Sequence, residues 1–228
     1  ESMTAVILSR VDHLDYELSE TLKVASCIGY RFETEVLAHA MDCDSKVLGG
    51  FLDVLEKKNF LEVTSNEGNT ENKMYRYKEH AVFGSIRTLL MGSQKVVIHS
   101  KILHYLEITG CMDDKLLAYH AEQSEKYQEA AMFFEKATAK SLDSYDYPTA
   151  YASLVRAISL RESDDYALSK FTEAQVKEAN LRLLILKRSL GDILRQTARY
   201  KEAEEVLLQC LSDFSVKADE ETDWRFKH

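Results

Sequence analysis

The sequence predicts a mainly helical protein in two parts: a compact helical unit carrying one small two-stranded wing, then stacked antiparallel helical pairs. Three observations carry that expectation. Only 8 Gly and 1 Pro occur in 228 residues, too few turn-formers for a sheet-rich chain. The apolar period switches from helical to alternating at one place, between Phe60 and Tyr77, and then switches back. Beyond Asp113 one set of residue offsets recurs.

Composition narrows the function classes. The chain is 45% hydrophobic, enough to bury a core. No apolar run approaches the ~20 residues a membrane helix needs. A net charge of −9 repels phosphate backbones. Cys27, Cys43, Cys111 and Cys210 form no Cys-x-x-Cys pair and read as reduced, small apolar residues. The chain opens Glu1-Ser2-Met3, without the basic and apolar run of a secretory signal. A piece of a longer cytoplasmic protein is expected.

In the first part, residues 2–14 read as a short amphipathic helix capped by Ser2. A second helix follows Asp15, with Leu18, Leu22, Ala25 and Ile28 on one face and Gly29 as a left-handed stop. Glu33 to Met41 forms a third. Asp44 or Ser45 caps a fourth, whose stripe is Val47, Leu48, Phe51, Leu52, Val54 and Leu55. Gly49-Gly50 inside it implies a closely packed neighbour or a break in register. Phe60 to Val63 and Met74 to Tyr77 are strands, joined by a polar loop containing Gly68. A helix through Ile86, Leu89 and Leu90 follows. Ser93 caps another, with His99 and His104 five apart. Zinc ligands on one helix face stand four apart with an acid between them, so no metal is expected there. Three helices, strand, wing and strand is the order of a winged helix, expected over residues 1–110. DNA binding is disfavoured: Lys46, Lys57 and Lys58 on the groove helix are offset by Asp44, Asp53 and Glu56. The loop sets Glu67 and Glu71 against Lys73.

Residues 111–228 read as helical repeats. Leu117-Ala118, Tyr127, Ala130, Phe134 and Ala137 form one set. Leu190-Gly191, Tyr200, Ala203, Leu207 and Cys210 form another at the same offsets, and Tyr147, Ala150, Leu154 and Ala157 repeat the second-helix portion. These offsets match the tetratricopeptide (TPR) pattern, in which small residues let two helices approach and larger ones fill the groove between hairpins. Pro148 suits a helix start. Thr172 to Gln175 is a capping box. The helix it opens runs to about Ala198 and, with Leu181, Leu184, Ile185 and Leu186, should be the most buried of this half. Asp219 to His228 reads as a frayed end or the start of a further repeat.

No phosphate-cradling Gly-x-x-x-x-Gly-Lys-Ser/Thr loop, no Gly-x-Ser-x-Gly elbow and no His-Glu-x-x-His occurs. Acidic pairs at Asp113-Asp114, Asp164-Asp165 and Glu204-Glu205 read as solvated or dipole-favouring groups. The chain offers no catalytic residues and no cofactor or metal site of its own.

Three stretches resemble one family. Leu8-Ser9-Arg10-Val11-Asp12-His13-Leu14, with Leu22 to Phe32, looks like the entry into the winged helix of signal-transduction ATPases of the STAND group. Tyr75-Arg76-Tyr77-Lys78-Glu79-His80-Ala81 looks like the strand and histidine that close it. Leu117-Ala118-Tyr119-His120 through Ala137 is similar to the first helical hairpin downstream. The first stretch, and Ala150-Tyr151-Ala152, sit nearest the soluble adenylyl cyclase branch. The resemblance implies a non-catalytic regulatory segment of a larger ATPase. ATP or ADP and cAMP synthesis would belong to the parent protein. The implied partners are an upstream nucleotide-binding module and a protein bound by the repeats. It gives His80 the role of contacting nucleotide phosphates in an inactive, ADP-bound state. Read from the residues alone, His80 could equally cap the next helix. Two other classes stay open at this point: a winged-helix transcription regulator of the maltose-regulator type, and a free-standing TPR adaptor.

Overall fold

The computed structural model describes residues 3–65, 73–163 and 171–225. The Ser2 cap, the loop residues Glu67, Gly68 and Glu71, the Asp164-Asp165 pair and the last three residues lie outside them. The chain divides into two compact units, Glu1–Met112 with Gln123–Glu125, and Asp113–Glu122 with Lys126–His228. It is mainly helical, with one small antiparallel sheet. Among the described residues no helix is long and apolar enough to cross a membrane.

The first unit runs α1 (Met3–Asp12), α2 (Tyr16–Ile28), β1 (Arg31–Glu33), α3 (Thr34–Met41), α4 (Ser45–Lys57), β2 (Leu61–Ser65), β3 (Met74–Tyr77), α5 (His80–Arg87) and α6 (Gly92–Ile108). The two expected strands are present, but the sheet has three, in the order β1-β3-β2. The added strand pairs Phe32 with Tyr75. Phe32 is buried between exposed Arg31 and Glu33, and its ring stacks on Tyr75 at 6.1 Å. Below the sheet, α2 packs on α3, α4, α5 and α6. Leu22, Leu37, Leu48, Leu52, Leu55, Ile86 and Ile102 are fully buried there, each worth about 1.5–3 kcal/mol relative to exposure.

Several local details differ from the sequence reading. Gly29 closes α2 in an extended conformation (φ 158, ψ −176), not a left-handed one, and its N–H donates to the Ala25 carbonyl. Asp44 caps α4 by accepting from the Lys46 N–H at 2.8 Å. Val47 and Val54 are exposed, so the buried stripe of α4 narrows to Leu48, Leu52 and Leu55. α4 runs unbroken through Gly49-Gly50, and nothing lies within 4 Å of where either Cβ would stand. Neither close packing nor a register break explains the pair. α5 ends at Arg87, before Leu89 and Leu90. α6 begins at Gly92 with Met91 as its cap residue, whose N–H donates to the Gln94 side chain at 3.1 Å; Ser93 is not the cap.

The second unit contains α7 (Asp114–Gln123), α8 (Tyr127–Asp143), α9 (Tyr147–Glu162), α10 (Glu173–Gln196) and α11 (Tyr200–Arg225). α8 packs on α9, α9 on α10, and α10 on α11. Three joins share one backbone solution. Glu125, Tyr145 and Ala198 adopt left-handed φ of 60°, 58° and 60°. In each, the next residue's N–H reaches back to the carbonyl five residues earlier: Lys126 to Ala121, Asp146 to Ser141, Arg199 to Leu194. A tyrosine then opens the next helix, and the alanine three residues on (Ala130, Ala150, Ala203) is buried.

Leu117, Ala118, Ala137, Leu154, Ala157 and Gly191 are also buried, while Tyr127, Phe134, Leu190 and Leu207 are half-buried. Tyr200, expected in the repeat core, is 65% exposed, although Ala203 in the same turn is buried. α9, not α10, is the most deeply buried helix: Ala150, Ser153, Leu154, Ala157, Ile158 and Leu160 all lie inside. α10 exposes Leu181 and Ile185, since α9 and α11 do not cover its whole circumference. α11 continues as helix to Arg225.

The glycines separate two physical cases. A Cβ on Gly191 would sit 2.7 Å from Cγ and Cδ2 of Leu207, so α10 and α11 need that hydrogen. Gly191→Ala is expected to destabilise by about 1–2 kcal/mol, the overpacking cost less the helix-propensity gain. Gly49→Ala and Gly50→Ala, with open space around them, are each expected to stabilise by about 0.5–1 kcal/mol. Urea midpoints of the three variants test both signs.

Candidate functional site

The residue singled out by the sequence, His80, follows directly from β3. Two backbone bonds fix the exit of that strand: Tyr77 N–H to the Tyr30 carbonyl at 3.1 Å, and Lys78 N–H to the Phe60 carbonyl at 3.0 Å. Glu79 stays extended (φ −132, ψ 136) and is the cap residue of α5, though its side chain makes no capping bond. His80 is therefore the first helical residue and does not cap α5. Its ring lies parallel on Tyr30, 3.9 Å between centroids and 6° between planes. The residue as a whole is exposed.

Tyr30 is the anchor of this arrangement. Its ring meets Phe83 edge-on at 5.8 Å, and Phe83 in turn meets Tyr77 at 5.3 Å. The Tyr77 hydroxyl donates to the Leu22 carbonyl at 2.5 Å, and burial holds that phenol well above the usual tyrosine range. An exposed imidazole is thus seated on a rigid aromatic stack whose base is locked in the core. It stands at the first turn of α5, where backbone N–H groups and the helix dipole favour negative charge. Chemically, the arrangement can present a donor to an anion.

Sequence reasoning placed His80 but missed its support. Tyr30 and Phe83 carry no local signal for the stack, because Tyr30 and His80 meet only after β1 and β3 pair. His99 and His104 diverge: His99 is buried near Arg87 and Lys95, while the ring of exposed His104 lies 6.1 Å from that of His39. Among the described residues no group of three or more His, Cys, Asp or Glu could hold a metal ion.

Lys46, Lys57 and Lys58 of α4 are exposed, while three other cations of the first unit have partners within it. Arg10 lies over the Phe60 ring at 4.7 Å and donates to the Lys58 carbonyl. Arg76 pairs with Glu62, and Lys78 donates to Asn59. Asp113 caps α7 through the N–H groups of Lys115 and Leu116, and Asp114 pairs with Lys140. Glu204 and Glu205 are exposed.

In the second unit the helices are tied by ion pairs that carry no local signal in the sequence. Glu135 of α8 accepts from Arg161 of α9 at 2.6 Å and from Arg182 of α10 at 2.7 Å. Lys187 of α10 pairs with Glu162 of α9 at 2.8 Å, and Arg156 of α9 with Glu122 of α7. Arg199 lies over the Tyr151 ring at 4.5 Å and pairs with Glu202.

Comparison with protein-family models, with curated proteins and with solved structures finds no match.

Proposed function

We propose that this chain is a non-catalytic regulatory and protein-interaction segment of a larger cytoplasmic signalling ATPase of the STAND kind, nearest the soluble adenylyl cyclases. The first unit acts as a winged helix that docks on an upstream nucleotide-binding module, and the second as TPR-like repeats that bind a protein. The observation that carries the reading is the seating of His80: an exposed imidazole, stacked on Tyr30 at the first turn of a helix, just after the central strand of the sheet. The repeated left-handed turns followed by Tyr and a buried Ala support the repeat half. ATP or ADP would be bound by the neighbouring module, with His80 reaching its phosphates. The state of the nucleotide could then be read only through a difference in docking.

The direct check is the coding sequence upstream of Glu1. A Gly-x-x-x-x-Gly-Lys-Ser/Thr loop there supports the reading, and an in-frame start at that point with no such module overturns it. The purified chain is expected neither to hydrolyse ATP nor to form cAMP. It is also expected to give no tight, steeply salt-dependent gel shift with duplex DNA.

A further inference from the structure

We propose that the cleft between α3 and α6 is a docking site for an arginine side chain of a partner protein. The cleft has a volume of about 540 Å³ and is lined by Glu35, Ala38, His39, Asp42, Cys43, Ser45 and Tyr105. Helical spacing builds one wall: Glu35, Ala38, His39 and Asp42 share a face of α3 and of the turn that ends it. The opposite wall is Tyr105 of α6, whose ring lies 5.0 Å from that of His39. The rim is braced at both ends. Tyr105 donates to Glu35 at 3.2 Å, and Lys101 pairs with Asp42 at 2.5 Å.

Two properties select the occupant. The first is charge. Glu35 and Asp42 line the cleft, with Glu33 near Tyr105 and Asp44 near Cys43, against Lys101, which pairs with Asp42, and Lys46 on the following turn. Two titrating groups in the cleft respond to those carboxylates. Burial first, then Glu35 and Glu33, push the Tyr105 phenol up; burial first, then Asp44 and Asp42, push the Cys43 thiol up. A phosphate or carboxylate ligand would meet this field unfavourably. The second is shape. The rings of Tyr105 and His39, tilted 42° to each other, line the cleft together with the Glu35 carboxylate at the hydroxyl end of Tyr105, a set that suits a planar guanidinium: it stacks on a ring while its donors reach Glu35. A lysine ammonium lacks the plane and the fork, and is more strongly hydrated. The net charge of −9 also steers basic partners toward the chain. This inference rests on α3 and α6 alone and is independent of any nucleotide-binding neighbour.

The test is a titration of the full chain, followed by NMR of the His39 and Tyr105 ring signals. The probe is the peptide acetyl-Gly-Gly-Arg-Gly-Gly-amide, with citrulline and lysine analogues as comparisons. Saturable shifts of both rings are expected with the arginine peptide at concentrations up to about 10 mM, the range for a one-side-chain contact. The citrulline peptide, neutral but of the same shape, is expected to bind at least about tenfold more weakly. Glu35→Gln, at an exposed position that keeps an acceptor for Tyr105, is expected to weaken the arginine peptide about fivefold or more, with the remaining spectrum unchanged. Absence of saturable ring shifts, equal binding of the citrulline or lysine peptide, or an unaltered affinity in Glu35→Gln would each overturn the proposal.

Discussion

Glu135→Ala is expected to destabilise the second unit by about 3–5 kcal/mol. The Glu135 side chain is 8% exposed and that of Arg161 is 9%, whereas Arg182 is 51% exposed. Truncation leaves the Arg161 guanidinium in the interior without its carboxylate, while Arg182 can turn into water. Most of the cost therefore falls on the α8–α9 contact. The double variant Glu135→Leu with Arg161→Met, which removes both buried charges, is expected to recover most of the loss, because an apolar pair of similar volume is often no worse than a buried ion pair. Urea denaturation of wild type, Glu135→Leu, Arg161→Met and the double closes the cycle, with Glu135→Ala measured beside it. A loss below about 1 kcal/mol for Glu135→Ala would mean that the pair behaves like a surface contact.

Acid is expected to weaken the first unit through His99. Burial in α6, with smaller contributions from Arg87 and Lys95, lowers this imidazole from 6.5 to about 4. The sign follows from where the proton goes. Between pH 6.5 and about 4 the unfolded chain takes up a proton that the folded chain refuses, so stability falls as the pH is lowered through that window. Above 6.5 the contribution is constant, and below about 4 both states are charged and the slope ends. The accumulated loss is of the order of 3 kcal/mol. Amide exchange of α2 and α6 between pH 7 and 4 reads it directly. His99→Leu is expected to flatten the His99-dependent part of that profile; an unchanged profile would assign the acid sensitivity elsewhere.

The sequence carried the features that are set locally. Asp44 and Thr172 cap their helices because a side-chain oxygen lies within reach of an N–H two or three residues on. The strands at 61–65 and 74–77 announce themselves by a change of period. The offsets among Tyr127, Ala130, Tyr147, Ala150, Tyr200 and Ala203 were readable because the same turn geometry recurs. What stayed hidden is set at a distance. Arg31 to Glu33 is three residues with one apolar member, and it becomes a strand only because β3 offers an edge. Glu135 looks like any helical Glu until folding brings Arg161, 26 residues away, and Arg182, 47 residues away, to the same carboxylate. The exposed Leu181 and Ile185 show the converse: an apolar circumference does not bury a helix, because only neighbouring helices can cover it. At the candidate site, His80 was legible as a position, and Tyr30 beneath it was not.

The left-handed residues at the three helix joins are a glutamate, a tyrosine and an alanine, none of them glycine. Each corner is therefore held against the steric cost of a left-handed residue with a Cβ, about 1–2 kcal/mol, by the backbone bond that closes the helix before it.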